Sequence, residues 1–474
     1  MNAIDLCYTP ATELGRLIRT KKLSPVELAD AVLARIERLN PTLCAYLTVT
    51  ADHARELARA SEARAMRGEL HGPLDGIPYS IKDLEPTAGI RTTYGSKFFE
   101  ANVPTEDGAV AARLRATGGV LLGKTNTPHF GYKDMCDNLI GPPCRNPWKL
   151  DRTSGASSGG AGAAVGAGLG PLAHGSDGSG SIRIPSALCG IFGLKPSFAR
   201  VPYWPSGDLW AARSHNGPMT RTVRDAALLL QTMAGPDPRD PLSIDAPPPD
   251  FLAACDGDLK GMRLGWSPDL GFAVVDSEVA EITARAARRF GELGCNVEDA
   301  RVDWSNPYEF HKIIYSVNVA ARNYERALAR PDWIEPTLMR MILDAGKVSA
   351  IEHAKALLAR TAFAECVRAT FERYDLLLTP QMPVAAWPAD PGPFEGLADL
   401  GGKPAHSIFD RVPFMYPFNL IGYPAANAPC GFTRERLPVG LQIVGRWHKE
   451  TDVFRAAAAF EALQPWAGAR PPLD

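Results

Sequence analysis

Two serine clusters lie in a glycine-rich stretch, and this combination of residue types suits nucleophilic attack on a carbonyl group. Residues 153–196 read TSGASSGGAGAAVGAGLGPLAHGSDGSGSIRIPSALCGIFGLKP, with the serines in SGASSGG and GSDGSGS. Glycine at this density allows successive backbone N–H groups to turn toward one point, which an oxyanion site requires. A serine hydroxyl is a weak nucleophile until a neighbouring base accepts its proton. This stretch is therefore the candidate catalytic segment.

A flexible Gly/Ser linker is the alternative interpretation of this composition. Apolar residues recur along the whole stretch, however, as they do in buried segments: Val165, Leu169, Leu172, Ile182, Ile184, Leu188, Ile191 and Phe192. The pattern therefore favours a folded, buried segment over a linker.

The phosphate-loop pattern GxxxxGK[ST] is matched letter for letter by GGVLLGKT at residues 118–125. Such a loop follows a strand and opens a helix, so that its backbone N–H groups face phosphate. Here a predicted helix precedes the pattern, its middle is apolar like a strand, and Pro128 follows. We therefore discount an NTPase and predict a buried strand at residues 120–122.

The nucleophile-elbow pattern GxSxG is matched by GASSG at residues 155–159, which would make Ser157 the nucleophile of a Ser–His–Asp hydrolase. An elbow serine directly follows a buried strand, whereas the preceding NPWKLDRT is polar and contains Pro147. No histidine in the chain has a recognisable orienting context. The elbow is kept as an alternative.

The two serine clusters resemble the signature of the amidase signature family, serine hydrolases that cleave amides with a Ser–Ser–Lys triad. The family pattern GGSSGG followed by GTDTGGSIRxPA corresponds to GASSGG and GSDGSGSIRIPS, and G-(I/V)-P-x-x-x-K-D corresponds to GIPYSIKD. The resemblance implies that Ser181 is the nucleophile, Ser157 the bridging serine and Lys82 the base. Four further stretches extend it along almost the whole chain: GKTNTP (123–128), GPMTRTVRDAALLL (217–230), DLLLTPQMP (375–383) and LPVGLQIVGR (437–446).

Lys82 can act as a base only in its neutral form. A lysine with a pKa of ~10.4 is almost fully charged at pH 7, and lowering that pKa by ~3 units costs about 4 kcal/mol. The run IPYSIK, which we predict to be a strand buried on both faces, would supply the desolvation. Ser157 could then relay the proton, because a hydroxyl donates to one partner and accepts from another. The alternative, a strand-end lysine paired with Asp83, leaves the serine clusters unexplained.

The resemblance also implies a cis peptide bond at Ser157, and an oxyanion hole made by the backbone N–H groups of Gly178, Ser179, Gly180 and Ser181. The chain departs from the family here, since Ser179 stands where the family has glycine. That serine puts in question how freely the backbone adopts positive φ, and its hydroxyl is a candidate to face the substrate. Two neighbours are expected to hold the loop rather than react: Asp177 and Arg183.

Substrate contacts are predicted from position along the chain. The resemblance places the segment after TNTP beside the scissile bond, which makes Tyr132 a candidate wall. Aromatic residues that line a mainly apolar cleft suit a hydrophobic or aryl-bearing amide, although each one singly fits the core or surface equally well. The predicted substrate-binding residues are Gly131, Tyr132, Ser158, Trp204 and Trp210, with Tyr203 as a further candidate.

The elements that must position these residues predict an α/β fold. Residues 1–70 predict a helical arm, with one helix beginning at Ser24-Pro25-Val26-Glu27 and another stopping at Gly68. Beyond it, short apolar runs alternate with helical patterns, as in a sheet with covered faces. We predict one domain over residues 1–474, with a mixed twisted β-sheet flanked by helices on both faces.

Within that domain we expect a signature core at about 71–235 and core strands that return at about 374–474. The least family-like stretch, about 305–373, is predicted to be largely helical and to face the substrate. Strands are predicted at 77–81, 120–122, 262–265, 296–302 and in the stretches DLLLTP and GLQIVG, and helices at 109–116, 222–233 and 278–293.

Composition excludes several classes of function. The 474 residues are 45% hydrophobic and 22% charged, with a net charge of −2, which gives no case for binding nucleic acid or an anionic membrane. No apolar run has membrane-spanning length, and the N-terminus lacks the layout of a signal peptide. Nine scattered cysteines favour reduced thiols and a cytoplasmic location, and the dispersed histidines indicate no metal site.

Together these observations predict an amidohydrolase that cleaves a small or medium, hydrophobic or aryl-bearing carboxamide through a seryl acyl-enzyme. Esters and carbamates are expected side substrates, as for an aryl acylamidase or urethanase. No cofactor is expected, and the chain is expected to be a monomer or homodimer. The alternatives are a glutaminyl-tRNA amidotransferase A-type subunit, which needs partner subunits, the Ser–His–Asp hydrolase, and a non-catalytic binding protein.

Overall fold

A mixed sheet of eleven strands runs through the part of the chain that the structure describes, with a separate two-stranded sheet beside it. The computed structural model describes residues 2–210, 214–390 and 408–473. The strands are β1 Tyr46–Val49, β2 Pro78–Lys82, β3 Val120–Thr125, β4 Arg145–Asn146, β5 Lys149–Thr153, β6 Leu172–Asp177, β7 Phe192–Lys195, β8 His215–Thr220, β9 Arg263–Trp266, β10 Asn296–Asp299, β11 Leu376–Pro380, β12 Ala425–Phe432 and β13 Pro438–Gly445.

The large sheet has the order β1-β3-β2-β6-β8-β7-β12-β13-β11-β9-β10, and β4 pairs with β5. Both parallel and antiparallel pairs occur in it, and helices flank it. The helices are α1 Ala3–Tyr8, α2 Ala11–Arg19, α3 Pro25–Leu43, α4 Ala51–Arg67, α5 Ala109–Ala116, α6 Gly159–Gly166, α7 Arg183–Cys189, α8 Val223–Met233, α9 Phe251–Ala254, α10 Ser277–Arg288, α11 Tyr308–Ala329, α12 Pro336–Ala345, α13 Ala350–Arg373, α14 Tyr416–Leu420 and α15 Glu450–Leu463. The predicted fold class, a single α/β domain around a mixed sheet, is confirmed.

The register of β2 and β6 positions the candidate site. These strands are parallel neighbours, with Tyr79 opposite Leu172 and Ile81 opposite His174. Because parallel strands end at the same edge of a sheet, the carboxyl ends of both strands lie at this edge, with β6 extending beyond the level of Lys82. Lys82 closes β2 and Asp177 closes β6, and every residue of both strands is buried.

The predicted helices were largely found, and their ends follow the expected signals. Ser24 caps α3 by accepting hydrogen bonds from the backbone of Val26 and Glu27. Gly68, in the left-handed region, ends α4, and the stretch predicted to be helical after residue 305 contains α11, α12 and α13. The N-terminal arm is not wholly helical, however. It also contributes β1, an edge strand paired with β3. This strand was not predicted because it has only four residues and lies between two helices.

The phosphate-loop pattern is a strand, as predicted. Lys124 lies within β3 and is fully buried, and its Nζ donates to Glu85 O, Thr87 Oγ1 and Thr92 Oγ1. That amine is committed to neighbouring protein oxygens, so the segment presents no phosphate cradle.

Across the described ranges, none of the helices combines the length and the apolar composition that a membrane crossing requires. The same ranges contain no group of three or more His, Cys, Asp or Glu side chains arranged to hold a metal ion.

Candidate active site

Lys82 is the most deeply buried of the predicted triad residues, with no exposed surface. Its Nζ donates to Ser157 Oγ at 2.8 Å and to Ser176 O and Oγ at 3.1 Å each. Burial lowers the pKa of Lys82 from 10.5 to about 7, against the nearby Asp177 carboxylate, which raises it. A large fraction of the amine is therefore neutral near pH 7 and able to accept a proton.

Ser157 lies between this amine and the loop that carries Ser181. The Ala156–Ser157 peptide bond is cis, as the resemblance implied. The next residue, Ser158, precedes α6, and its backbone N–H donates to Ser181 O at 3.1 Å. This bond ties the two serine clusters together. Ser157 and Ser181 line one cavity of about 400 Å³, into which Ser181 is partly exposed.

The group beside Ser157 Oγ is thus an amine and not an imidazole. A Ser–His–Asp hydrolase would need a histidine at this place, within hydrogen-bond reach of the serine. The geometry disfavours the elbow alternative: Lys82 Nζ lies within hydrogen-bond distance of Ser157 Oγ, and Ser157 and Ser181 line the same cavity.

Asp177 holds the loop before Ser181 in shape. Its carboxylate accepts hydrogen bonds from Gly180 N at 2.6 Å, from Ile182 N at 3.2 Å and from Arg183 Nε at 3.0 Å. Burial raises the pKa of Asp177, but the Arg183 guanidinium and the Asn419 amide outweigh it, so this pKa lies below its usual range. The carboxylate therefore stays ionised and keeps the loop closed around it.

This arrangement changes the predicted oxyanion hole. The N–H of Gly180 is committed to Asp177, so in this conformation it does not point at the cavity as a free donor. Gly180 has a φ of +119°, and a Cβ there would lie 2.7 Å from Met415 Cγ, which explains the glycine sterically. The candidates that remain for the oxyanion are the N–H groups of Gly178, Ser179 and Ser181.

Ser179, which replaces a family glycine, is not among the described residues with positive φ. Its Oγ donates to Gly178 O at 2.7 Å and lies 3.3 Å from His311 Nε2, on α11. Ser179 lines the cavity, but its hydroxyl is held by these two groups rather than aimed at a ligand.

Gly131 and Tyr132 line the cavity as predicted. A Cβ on Gly131, whose φ is +68°, would approach Ser157 Oγ to 3.1 Å, so glycine lets this backbone come close to the serine. Tyr132 is only 2% exposed, and its hydroxyl donates to Glu335 Oε2 at 2.7 Å. Tyr132 therefore forms part of the cavity wall, and its hydroxyl is held by Glu335, the residue that precedes α12.

Three predicted substrate contacts lie elsewhere. Ser158 is fully buried behind the site, and its Oγ donates to Ser176 O and accepts from Ser176 N, both at 3.2 Å. Trp204 packs under the guanidinium of Arg239 at 4.1 Å, and Trp210 is 75% exposed. None of the three lines the cavity, whereas Tyr203 does.

Two parts of the site were missed by sequence reasoning. Ser176, which gives Lys82 two of its hydrogen bonds, sits on β6, a polar strand (LAHGSD) without the apolar pattern of a buried strand. The second part is a wall from α11, which the helical stretch predicted only as a region. Its cavity-lining residues include Tyr315, Asn318, Val319, Arg322 and Arg326.

An aromatic cluster forms another part of the cavity lining. Tyr94 and Phe99 meet edge to face with ring centres 5.1 Å apart, and Phe99 and Phe130 do so at 6.2 Å. These rings make the cavity wall largely apolar close to Ser157 and Ser181, as expected for a hydrophobic ligand.

Comparison with known proteins agrees with this geometry. The family model described as Amidase matches residues 27–454. An acylamidase of Rhodococcus erythropolis is 40% identical over 485 aligned positions, covering 99% of this chain and 98% of the relative. The A-type subunit of the glutamyl-tRNA(Gln) amidotransferase from Moorella thermoacetica is 36% identical, with 99% of both chains covered.

Solved structures extend the likeness to the fold. A bacterial aryl acylamidase of the amidase signature family superposes with a TM-score of 0.90 at 31% identity, over 97% of both chains. A 6-aminohexanoate cyclic dimer hydrolase does so with 0.87 at 30% identity, over 98% of this chain and 99% of the other. The chain belongs to the amidase signature family. It is an amide-hydrolysing enzyme.

Proposed function

We propose that this enzyme hydrolyses a small or medium carboxamide with a hydrophobic or aryl group, through an acyl-enzyme on Ser181. The observation that carries the proposal is the 2.8 Å contact between Lys82 Nζ and Ser157 Oγ, at the cavity that Ser157 shares with Ser181. A buried amine with a pKa of about 7 beside a serine relay is a base suited to neutral pH.

The reaction begins with neutral Lys82, which accepts the proton of Ser157 as Ser157 accepts that of Ser181. Ser181 Oγ then bonds to the carbonyl carbon, and the oxygen that becomes negative faces the N–H groups of Gly178, Ser179 and Ser181. When the C–N bond breaks, the proton on Lys82 returns through Ser157 to the leaving amine. A water molecule next gives a proton to the same relay and attacks the ester, and the relay returns that proton to Ser181 Oγ as the ester bond breaks, which releases the carboxylic acid.

The substrate class rests on the cavity lining and on the relatives. Tyr94, Phe99, Phe130 and Tyr203 present aromatic surface to the cavity, which suits an aryl or otherwise apolar group. The relatives named acylamidase and aryl acylamidase point the same way. Esters and carbamates share the carbonyl that Ser181 would attack, so they are expected side substrates.

A second candidate is an amidotransferase A-type subunit, because relatives so named align over nearly the whole chain. Such a subunit would act with partner subunits on an acceptor. The isolated chain would then hydrolyse aryl amides poorly. Purification from its native cells would recover partner subunits together with tRNA-dependent activity. Efficient hydrolysis of aryl amides by the isolated chain would count against this candidate.

Identification of the labelled serine tests the proposal. We expect a fluorophosphonate probe to form one covalent adduct, which mass spectrometry places on Ser181. Ser181→Ala should abolish labelling, and Ser157→Ala should slow it strongly without moving the adduct. Ser186→Ala is a matched control, since this buried serine of α7 donates to Ile182 O and does not line the cavity.

An adduct on Ser157 would overturn the assignment in favour of the elbow alternative. An intact protein that takes no label would favour a binding protein. A parallel screen of 4-nitroanilides, aliphatic amides, phenyl esters and carbamates tests the substrate class, and we expect anilides with apolar acyl groups to be hydrolysed.

A further inference from the structure

The cavity has an uncompensated positive side. Arg322 and Arg326 lie one turn apart on α11, and both line the cavity while remaining exposed. Neither arginine forms an ion pair with a carboxylate of the described residues. The other charged residues that line the cavity are paired with residues of opposite charge. Lys133 pairs with Glu335 and Asp137, and Asp134 pairs with Arg411.

The position of the two arginines along α11 indicates how far the cavity extends from the loop before Ser181. His311, near the start of this helix, contacts Ser179 in the loop before Ser181. Arg322 lies eleven residues further on, which is roughly 16 Å along the axis at about 1.5 Å per residue. Helical side chains lean toward the helix N-terminus, and Arg326 does so here, since its Nη1 donates to Arg322 O at 3.5 Å. A ligand that reaches both ends must therefore be elongated.

The wall beside the arginines also orients one of them. The guanidinium carbon of Arg326 lies 5.1 Å from the centre of the Phe99 ring, and Phe99 itself lines the cavity. An arginine that stacks on an aromatic ring presents the planar fork of N–H donors at its edge, and those donors of Arg326 that do not bond Arg322 O are available to a ligand. Such a fork matches the two oxygens of a carboxylate, to which arginine binds in a bidentate manner.

We propose that the preferred substrate is an elongated amide that carries a carboxylate at its far end, which Arg322 and Arg326 bind while Ser181 attacks the amide carbonyl. This inference rests on the proposed function, since it places a substrate in the same site. The cavity would read the substrate at two points, an apolar part along the aromatic wall and an anionic terminus at the arginines. Neutral short amides would use only the first.

A pair of matched substrates tests this on the acyl side. The mono-4-nitroanilide of decanedioic acid carries the carboxylate, and 10-methylundecanoic 4-nitroanilide replaces it by an isopropyl group of similar shape. We expect kcat/KM to favour the carboxylate by about 10-fold at low ionic strength, because the contact is a charge-assisted hydrogen bond. The preference should shrink as salt is added, since the site is open to solvent.

A second pair puts the carboxylate on the amine side. Phenylacetyl amides of 9-aminononanoate and of 9-methyldecylamine are compared by release of the free amine. Preference for the acid in one pair alone assigns the arginines to that side of the scissile bond. A ratio near one in both pairs overturns the inference.

Variants separate the arginines from the general charge of the protein. In Arg322→Gln/Arg326→Gln the ratio between charged and neutral substrates should fall to about one. Lys312→Gln/Arg330→Gln removes two charges as well, but these residues pair with Glu309 and Asp332 and do not line the cavity, so the ratio should persist. A ratio that survives the first double change, or disappears in the second, contradicts the inference.

Failure of the proposed function is distinguishable from failure of this inference. If the proposed function fails, Ser181 takes no label or the isolated chain hydrolyses anilides poorly. If only this inference fails, neutral anilides are hydrolysed and the carboxylate brings no advantage. Calorimetric binding of the two 4-nitroanilides to the Ser181→Ala variant tests the arginines without turnover, and equal affinities there would also contradict the inference.

Discussion

The hydroxyl of Ser179 lies 3.3 Å from Nε2 of His311, so the loop before Ser181 is tied to α11 by a side-chain contact. His311 is fully buried and stacks on Tyr416 with ring centres 4.8 Å apart. A glycine at position 179, the usual family residue, could not make this contact. The position of the loop in this enzyme therefore depends on a helix that also forms the cavity wall.

Loss of that tether should affect turnover more than binding. We expect Ser179→Ala to lower kcat about 5-fold with little change in KM, because a less constrained loop presents its N–H groups less accurately to the oxyanion. The control is Ser316→Ala, which removes an α11 hydroxyl bonded to Lys312 O, outside the cavity lining. An increase in KM at constant kcat would mean that Ser179 serves substrate binding instead.

The rate should depend on the protonation of Lys82. Its pKa of about 7 means that the amine is charged at lower pH, where it cannot accept a proton. We expect kcat/KM to rise about tenfold per pH unit below that value and to level off above it. Lys82→Ala should remove both the pH dependence and most of the activity. A profile that keeps its shape in this variant would assign the ionisation to another group.

Lys82 should also lower the stability of the fold. Its pKa falls from 10.5 to about 7 on folding, so the unfolded chain binds more protons between these values. The unfavourable contribution is fully present below pH 7 and fades as the pH rises to 10.5. We expect Lys82→Met to raise the free energy of unfolding by about 2 kcal/mol at pH 7, after the loss of its hydrogen bonds. This gain should fall by about 1.4 kcal/mol per pH unit, reach zero near pH 8.5 and become a net loss of stability by about pH 10.5 in denaturant titrations.

The matched control for stability is Lys124→Met, at another buried lysine. Burial lowers the pKa of Lys124 to about 8, while the buried carboxylates of Asp83 and Glu85 favour its charged form. Its removal leaves these groups without a counter-charge, which should destabilise the protein by about 3 kcal/mol. If Lys124→Met also stabilised the protein, the neighbouring carboxylates would not account for the difference between the two lysines.

Tyr132 should control which substrates are accepted. Tyr132→Ala opens the wall beside Gly131, so we expect it to change the ranking of anilides with large and small acyl groups more than the turnover of phenyl acetate. Tyr132→Phe keeps the ring and removes only the hydroxyl contacts with Glu335 and Thr337, so the ranking should persist. A uniform loss over all substrates in both variants would mean that Tyr132 supports the fold.

The site residues that could be predicted from the sequence are those that occur in short, recognisable motifs. Lys82, Ser157 and Ser181 occur in short motifs, and the apolar run before Lys82 announces a buried strand. Ser176 could not be found in this way, because its contact with Lys82 depends on the register between β2 and β6, which lie about ninety residues apart in the chain. Long-range pairing leaves no pattern in either strand alone.

Side-chain direction explains the remaining errors. Trp204 and Trp210 follow the signature closely, but nothing in their spacing says that one lies under Arg239 and the other faces solvent. Gly180 matches an oxyanion position, and only the folded structure shows that Asp177 accepts its N–H. The divergence of the stretch after residue 305 from the family predicts that this stretch faces the substrate. That Arg322 and Arg326 line the cavity follows only from the orientation of α11 in the structure.

The connection from β10 to β11 has an evolutionary consequence. It contains α11, α12 and α13, whereas Lys82, Ser176 and Ser181 come from β2, β6 and the loop before α7, earlier in the chain. Mutations in this connection can reshape the wall of the substrate cavity without altering the strands that align the reacting groups. The exception is His311, which reaches back to Ser179. New specificities should therefore accumulate along α11 and α12, with positions 179 and 311 changing together.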